Sequence, residues 1–168
     1  LQRDFLTKTL KPGPNSYICP HIKVFKMSNN IKIESSKAPE PVGLYPHARK
    51  VGDFIYYSGI GPRERGTKKI PGVELDEQGN ITSYDIATQC RSVFNNLKLV
   101  VEDSGADWKN VVDVTIFLTN MKADFKTYNE IYAEYFKDNQ PCRTTIEIKS
   151  LPTPIGIEIK AIAYVGKD

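Results

Sequence analysis

The sequence predicts an α+β domain, a sheet with two helices on one face, in the order β-β-α-β-α-β-β. Three observations carry this. Residues 84–104 and 123–137 repeat their apolar side chains in steps of three and four, the helical period. Runs rich in β-branched and aromatic residues lie before, between and after them, at 48–60, 111–118 and 143–165. With 168 residues, 40% hydrophobic and 26% charged, the chain can bury one self-sufficient core.

The first 36 residues read as a leader outside the fold, with the domain at 37–168. Pro12, Gly13, Pro14 and Pro20 break regular structure there. Met27 is the expected natural start, with 1–26 an extension ahead of it. That extension lacks the long apolar core of a secretory signal, and an organelle-targeting role stays open. Residues 37–46 are loop-like. Next, 48–60 predicts a hairpin turning at Gly52-Asp53, whose second arm is Phe54-Ile55-Tyr56-Tyr57-Ser58. Residues 63–80 are charged, contain glycine and have no helical period, which predicts a long loop.

Ile86, Cys90, Val93, Phe94, Leu97, Val100 and Val101 make one stripe of the first helix, with Ser83 the expected cap and Gly105 the stop. Residues 111–118 predict a buried strand. Phe125, Tyr128, Ile131, Tyr132, Tyr135 and Phe136 mark the second helix. Strands at 143–150 and 156–165 close the domain, joined through Pro152 and Pro154.

Composition excludes several function classes. No run of about 18 apolar residues exists, so no membrane helix is predicted. The net charge of +3 is a property of the leader. Residues 1–26 hold five basic residues and one acid, whereas the other 142 hold 18 basic and 19 acidic ones, no footprint for nucleic acid. Cys19, Cys90 and Cys142 form no C-x-x-C pair, which points away from a disulfide framework and towards a reducing, cytoplasmic setting. Cys19-Pro20-His21 is too sparse for zinc, and no metal site is expected. His47 and Ser58 could belong to a catalytic triad, but no strand-elbow motif supports one.

Strand alternation offers the best chemical lead. Arg143, Thr145, Glu147 and Lys149 share one face of their strand, and Glu158 and Lys160 lie opposite the apolar Ile157, Ile159, Ala161 and Ala163. Were these strands neighbours, Arg143 and Glu158 could share a polar sheet face. A guanidinium fork matches a carboxylate bidentately, and an acid beside it can place or activate water. The cation is expected to keep Glu158 ionised. Spacing alone favours the plainer alternative, a solvated face with cross-strand ion pairs.

Residues from about 37 to 165 resemble the reactive intermediate deaminase family, also called the RidA or YjgF family. The resemblance rests on Gly43-Leu44-Tyr45-Pro46, Tyr57-Ser58-Gly59, 114–119 (Val-Thr-Ile-Phe-Leu-Thr), Tyr128-Asn129, 141–145 (Pro-Cys-Arg-Thr-Thr), Leu151-Pro152 and 157–163 (Ile-Glu-Ile-Lys-Ala-Ile-Ala). It implies a chorismate-mutase-like mixed sheet and a homotrimer with clefts between subunits. It also implies roles. Arg143 would clamp a substrate carboxylate, and Glu158 would position water or carry a proton. Tyr45, Ser58, Gly59, Asn129 and Thr145 would line the cleft. Three positions depart from the family pattern: Thr145 stands where many members have cysteine, Lys160 where they have a second glutamate, and Ile60 where they have glutamine.

The implied activity is hydrolysis of a carboxylate-bearing enamine or imine to the 2-oxo acid and ammonia, with no metal or organic cofactor. The segments 72–76, 85–86, 128–136 and 157–161 are most similar to 2-aminomuconate deaminases. The alternatives are a broad 2-iminobutanoate/2-iminopropanoate deaminase and a non-catalytic 2-keto-acid binder. RNA binding, sometimes attributed to the family, would have to come from the basic leader.

Overall fold

Apolar side chains at every second position give a strand one buried face, and the two longest strands have this pattern. The computed structural model describes residues 30–167. Its strands are β1 (Asn30–Ile33), β2 (Ala48–Val51), β3 (Phe54–Tyr57), β4 (Val73–Leu75), β5 (Ile81–Tyr84), β6 (Val111–Leu118), β7 (Cys142–Glu147) and β8 (Ile157–Tyr164). The helices are α1 (Ile86–Asp103) and α2 (Met121–Phe136), with a single 3₁₀ turn at Trp108–Asn110. The expected order is present as β2-β3-α1-β6-α2-β7-β8, with three short strands added. No helix among the described residues is long and apolar enough to cross a membrane.

Six strands form one sheet in the order β1-β2-β3-β8-β6-β7, and all neighbours are antiparallel except β6 and β7. Val114, Ile116, Ile157, Ile159, Ala161 and Ala163 are buried on the face that α1 and α2 cover. The predicted α1 stripe is the core, from Ile86 to Val101. Phe94, Tyr132, Tyr135, Phe136 and Trp108 close it in an aromatic cluster, with Tyr132 stacked on Phe136 at 4.5 Å between ring centroids. Arg91 grips Glu134 through both guanidinium nitrogens and so ties α1 to α2.

The structure corrects four local expectations. β1 lies in the stretch assigned to the leader and pairs with β2 from Asn30↔Val51 to Ile33↔Ala48, so the fold reaches at least to residue 30. Residues 1–29, including Cys19-Pro20-His21 and Met27, lie outside the described residues. Part of the expected loop at 63–80 belongs to a hairpin of β4 and β5. Its turn is made by the Asp76 carboxylate, which accepts from the amides of Gln78 (3.0 Å) and Asn80 (2.7 Å), and by Gly79 at φ +83°. Ser83 therefore sits in a strand, and Asp85 caps α1 by accepting from Ala87 and Thr88. β7 ends at Glu147 rather than at 150, as an exposed edge strand.

Candidate functional site

A short strand irregularity builds the first part of the site. Tyr56 pairs with Ile162, but Ile60 bridges Ile159. Four steps along one strand thus match three along the other, and the extra residue makes a bulge at Ser58-Gly59. The bulge turns Ile60 into the core and brings Gly59 against Glu158. A Cβ on Gly59 would collide with the Glu158 carboxylate, whose carbon would lie only 2.8 Å away. The bulge opens on a cleft of about 530 Å³ on the sheet face away from the helices. Tyr45, Ser58, Gly59 and Glu158 line it, with Arg49, Arg63 and Lys160.

The segment carrying Tyr45 is held from behind. The Asp103 carboxylate accepts from the Ser35 hydroxyl (2.7 Å) and the Ser36 amide (2.9 Å) and pairs with Lys37 (3.1 Å), which holds its pKa down at about 2. His47, nearly buried, places Nε2 3.0 Å from the Pro39 carbonyl and Nδ1 3.1 Å from the Ser35 amide and 3.0 Å from the Glu34 carboxylate. The Ser58 hydroxyl donates to the Pro46 carbonyl at 2.6 Å. Ser58 and His47 are thus each engaged elsewhere, and no triad forms between them.

Glu158 is half-buried. Desolvation pushes its pKa up, and the Arg63 guanidinium offsets only part of the rise. Sequence reasoning had assigned the offsetting cation to Arg143. Arg63 is instead the cation that acts on Glu158, steadied by donating to the Glu40 carbonyl at 2.5 Å.

Arg143 belongs to a second cluster. Its Nη1 donates to Asn129 Oδ1 at 2.8 Å, and its guanidinium carbon lies 4.5 Å from the centroid of the Tyr132 ring and 5.7 Å from that of Tyr128. Thr145 shares a hydrogen bond of 3.2 Å with the Tyr128 hydroxyl. Asn129, Arg143 and Thr145 are therefore together, and so are Tyr45, Ser58, Gly59 and Glu158, but the two groups are separate within one chain. β6 intervenes between β7 and β8. Arg143 is in register with Val114 and Ala161 on the helix-facing side, whereas Glu158 is in register with Phe117 and Ile146 on the other. The expectation that Arg143 and Glu158 share a sheet face is overturned: an odd position on β7 aligns with odd positions of β8.

Sequence reasoning missed Arg49, Arg63 and Tyr132. Arg63 had a usable signal, because it lies just beyond Gly59 and Gly61, which let the chain run close to Glu158 and Ile155. Tyr132 had only its helical spacing, which also describes a packing residue.

A RutC family protein of Pyrococcus abyssi is 39% identical over 132 residues, covering 79% of this chain and 94% of its own. The human protein named 2-iminobutanoate/2-iminopropanoate deaminase is 33% identical over 135 residues, covering 80% and 89%. Among solved structures, yeast Mmf1 aligns with a TM-score of 0.71 at 28% identity, covering 82% of this chain and 100% of its own. The E. coli YjgF gene product aligns at 0.68 and 30% identity, covering 80% and 98%. The fold is thus the chorismate-mutase-like one that the resemblance implied. The family profile described as Endoribonuclease L-PSP matches residues 35–165, and the chain belongs to that family, with the RutC and RidA proteins as relatives.

Proposed function

We propose that this protein is a hydrolytic deaminase that converts carboxylate-bearing enamines and imines to 2-oxo acids and ammonia. The observation that carries the reading is the cleft at the Gly59 bulge, where a half-buried carboxylate with a raised pKa faces a space sized for a small molecule. The relatives named as deaminases support it.

The enamine first tautomerises to its imine, whose carbon is already electrophilic. Glu158 takes a proton from water as the oxygen adds to the C=N carbon. It gives that proton to the nitrogen, completing the neutral carbinolamine, and then carries the hydroxyl proton to the nitrogen as the C–N bond breaks, so one water is consumed, the C=O forms and one ammonia leaves. A raised pKa suits both halves of this exchange. Arg143 holds the carboxylate next to the imine carbon, kept flat by Asn129 and Tyr132. Tyr45, Ser58, Gly59 and Thr145 shape the walls.

Because Arg143 and Glu158 face opposite sides of one sheet, a site using both takes them from two copies of the chain. The reading therefore includes a homo-oligomer, a trimer by the family resemblance, with sites between subunits. Phe54, Tyr56, Ile146 and Tyr164 are exposed, and on the face away from the helices they suit such a contact. The finer substrate assignment is 2-aminomuconate; the alternative is 2-iminobutanoate and 2-iminopropanoate.

The test is ammonia release from imines generated in situ, with Arg143→Ala and Glu158→Ala as controls. Wild-type rates in both variants would overturn the assigned roles. Tight 2-oxo-acid binding without turnover would instead favour a metabolite-binding protein.

A further inference from the structure

The cleft beside Glu158 has more positive charge than one carboxylate substrate requires. Arg49, Arg63 and Lys160 line it, against Glu158 as its single acidic lining residue. Arg63 is committed to the Glu40 carbonyl and to the field at Glu158. Among the described residues, neither Arg49 nor Lys160 makes an ion pair or a side-chain hydrogen bond within the protomer. The sheet puts these two cations on the same side. Arg49 pairs with Tyr56 and Tyr56 with Ile162, in one row across β2, β3 and β8. Lys160 is two residues along β8 from Ile162, and Glu158 two further, so all lie on the face away from the helices. Two residues of strand span about 6.7 Å, so one small molecule can reach from Glu158 to Lys160.

We infer that Arg49 and Lys160 form a subsite for a second carboxylate, so that the substrate class is the imine of a dicarboxylic amino acid. This rests on the deaminase reading above, in which Arg143 already holds the first carboxylate. Cations lining a concave wall attract a second anionic group, and a guanidinium and an ammonium offer it a fork and a point charge. 2-Aminomuconate, with a carboxylate at each end, belongs to this class.

Stable product-like acids test the subsite without needing turnover. Calorimetry compares 2-oxoglutarate, with two carboxylates, and 2-oxobutanoate, with one, on the full-length wild-type protein and on Lys160→Gln and Arg49→Gln. The wild type is expected to bind the diacid about tenfold or more tightly, the scale of one charged hydrogen bond. In Lys160→Gln that ratio is expected to fall towards one. Equal affinities in the wild type overturn the subsite, as does an unchanged ratio in both variants. Lys160 is exposed, and a thermal melt checks that each variant is folded. Diacid preference with no ammonia release from any imine would sink the deaminase reading and leave the subsite standing. Deamination with equal mono- and diacid affinity would do the reverse.

Discussion

The Glu158 carboxylate rests against the α-carbon of Gly59, in the space where any other residue would have its Cβ. The position of the acid is therefore set by a missing side chain. In Gly59→Ala the backbone can stay, because the clash is with the movable end of Glu158. The carboxylate must swing away, and a misplacement near 1 Å can cost about 10²-fold. We expect Gly59→Ala to lose roughly that much kcat/KM in ammonia release while its melting temperature stays close to the wild type. Full activity in the folded variant would remove Glu158 from the mechanism.

A site divided between two chains can be rebuilt from two inactive proteins. Arg143→Ala supplies an intact Glu158 and Glu158→Ala an intact Arg143. Unfolding and refolding an equal mixture should restore activity to about one quarter of the wild type, the fraction of randomly formed interfaces holding both groups. No recovery in correctly sized oligomers would place the two residues in separate sites.

Asn129 Oδ1 accepts from Arg143 Nη1, and in the proposed reaction it acts through that guanidinium. Asn129→Ala should raise KM for carboxylate substrates by about tenfold, the scale of one hydrogen bond to a charged group, with a smaller change in kcat. A loss confined to kcat would instead give Asn129 a part in proton transfer.

The Asp103 anchor sets a pH dependence. Its pKa falls from an ordinary 3.8 to about 2 on folding, so its stabilisation is complete above 3.8 and is lost as the pH drops through 2. Asp103→Asn should cost roughly 1–3 kcal/mol at pH 7, for weakened bonds to Ser35, Ser36 and Lys37. The gap to the wild type should close as the pH falls towards 2 in denaturant titrations. A gap that persists there would mean that asparagine fails for its shape and not for its charge.

Most of the architecture was legible from local pattern. Both helices, the strand at Val111–Leu118 and the apolar side of Ile157–Tyr164 follow from periodicity, a property of neighbouring residues. The Asp76–Gly79 turn lay inside a segment read as one long loop, because charge around it masked the short strands on either side. Candidate residues could be named from the motifs at 43–46, 57–59 and 141–145, but their grouping could not.

The order of residues by itself determined what each segment becomes and which chemical groups are on hand: an acid, an arginine fork, and a glycine that lets the chain run close. Only the tertiary structure decided which groups meet. It placed β6 between β7 and β8, aligned Arg143 with Ala161, and so sent Arg143 and Glu158 to opposite sides of the sheet. The reason is physical: strand neighbours and register are set by hydrogen bonds between distant segments, and a shift of one residue reverses every side chain.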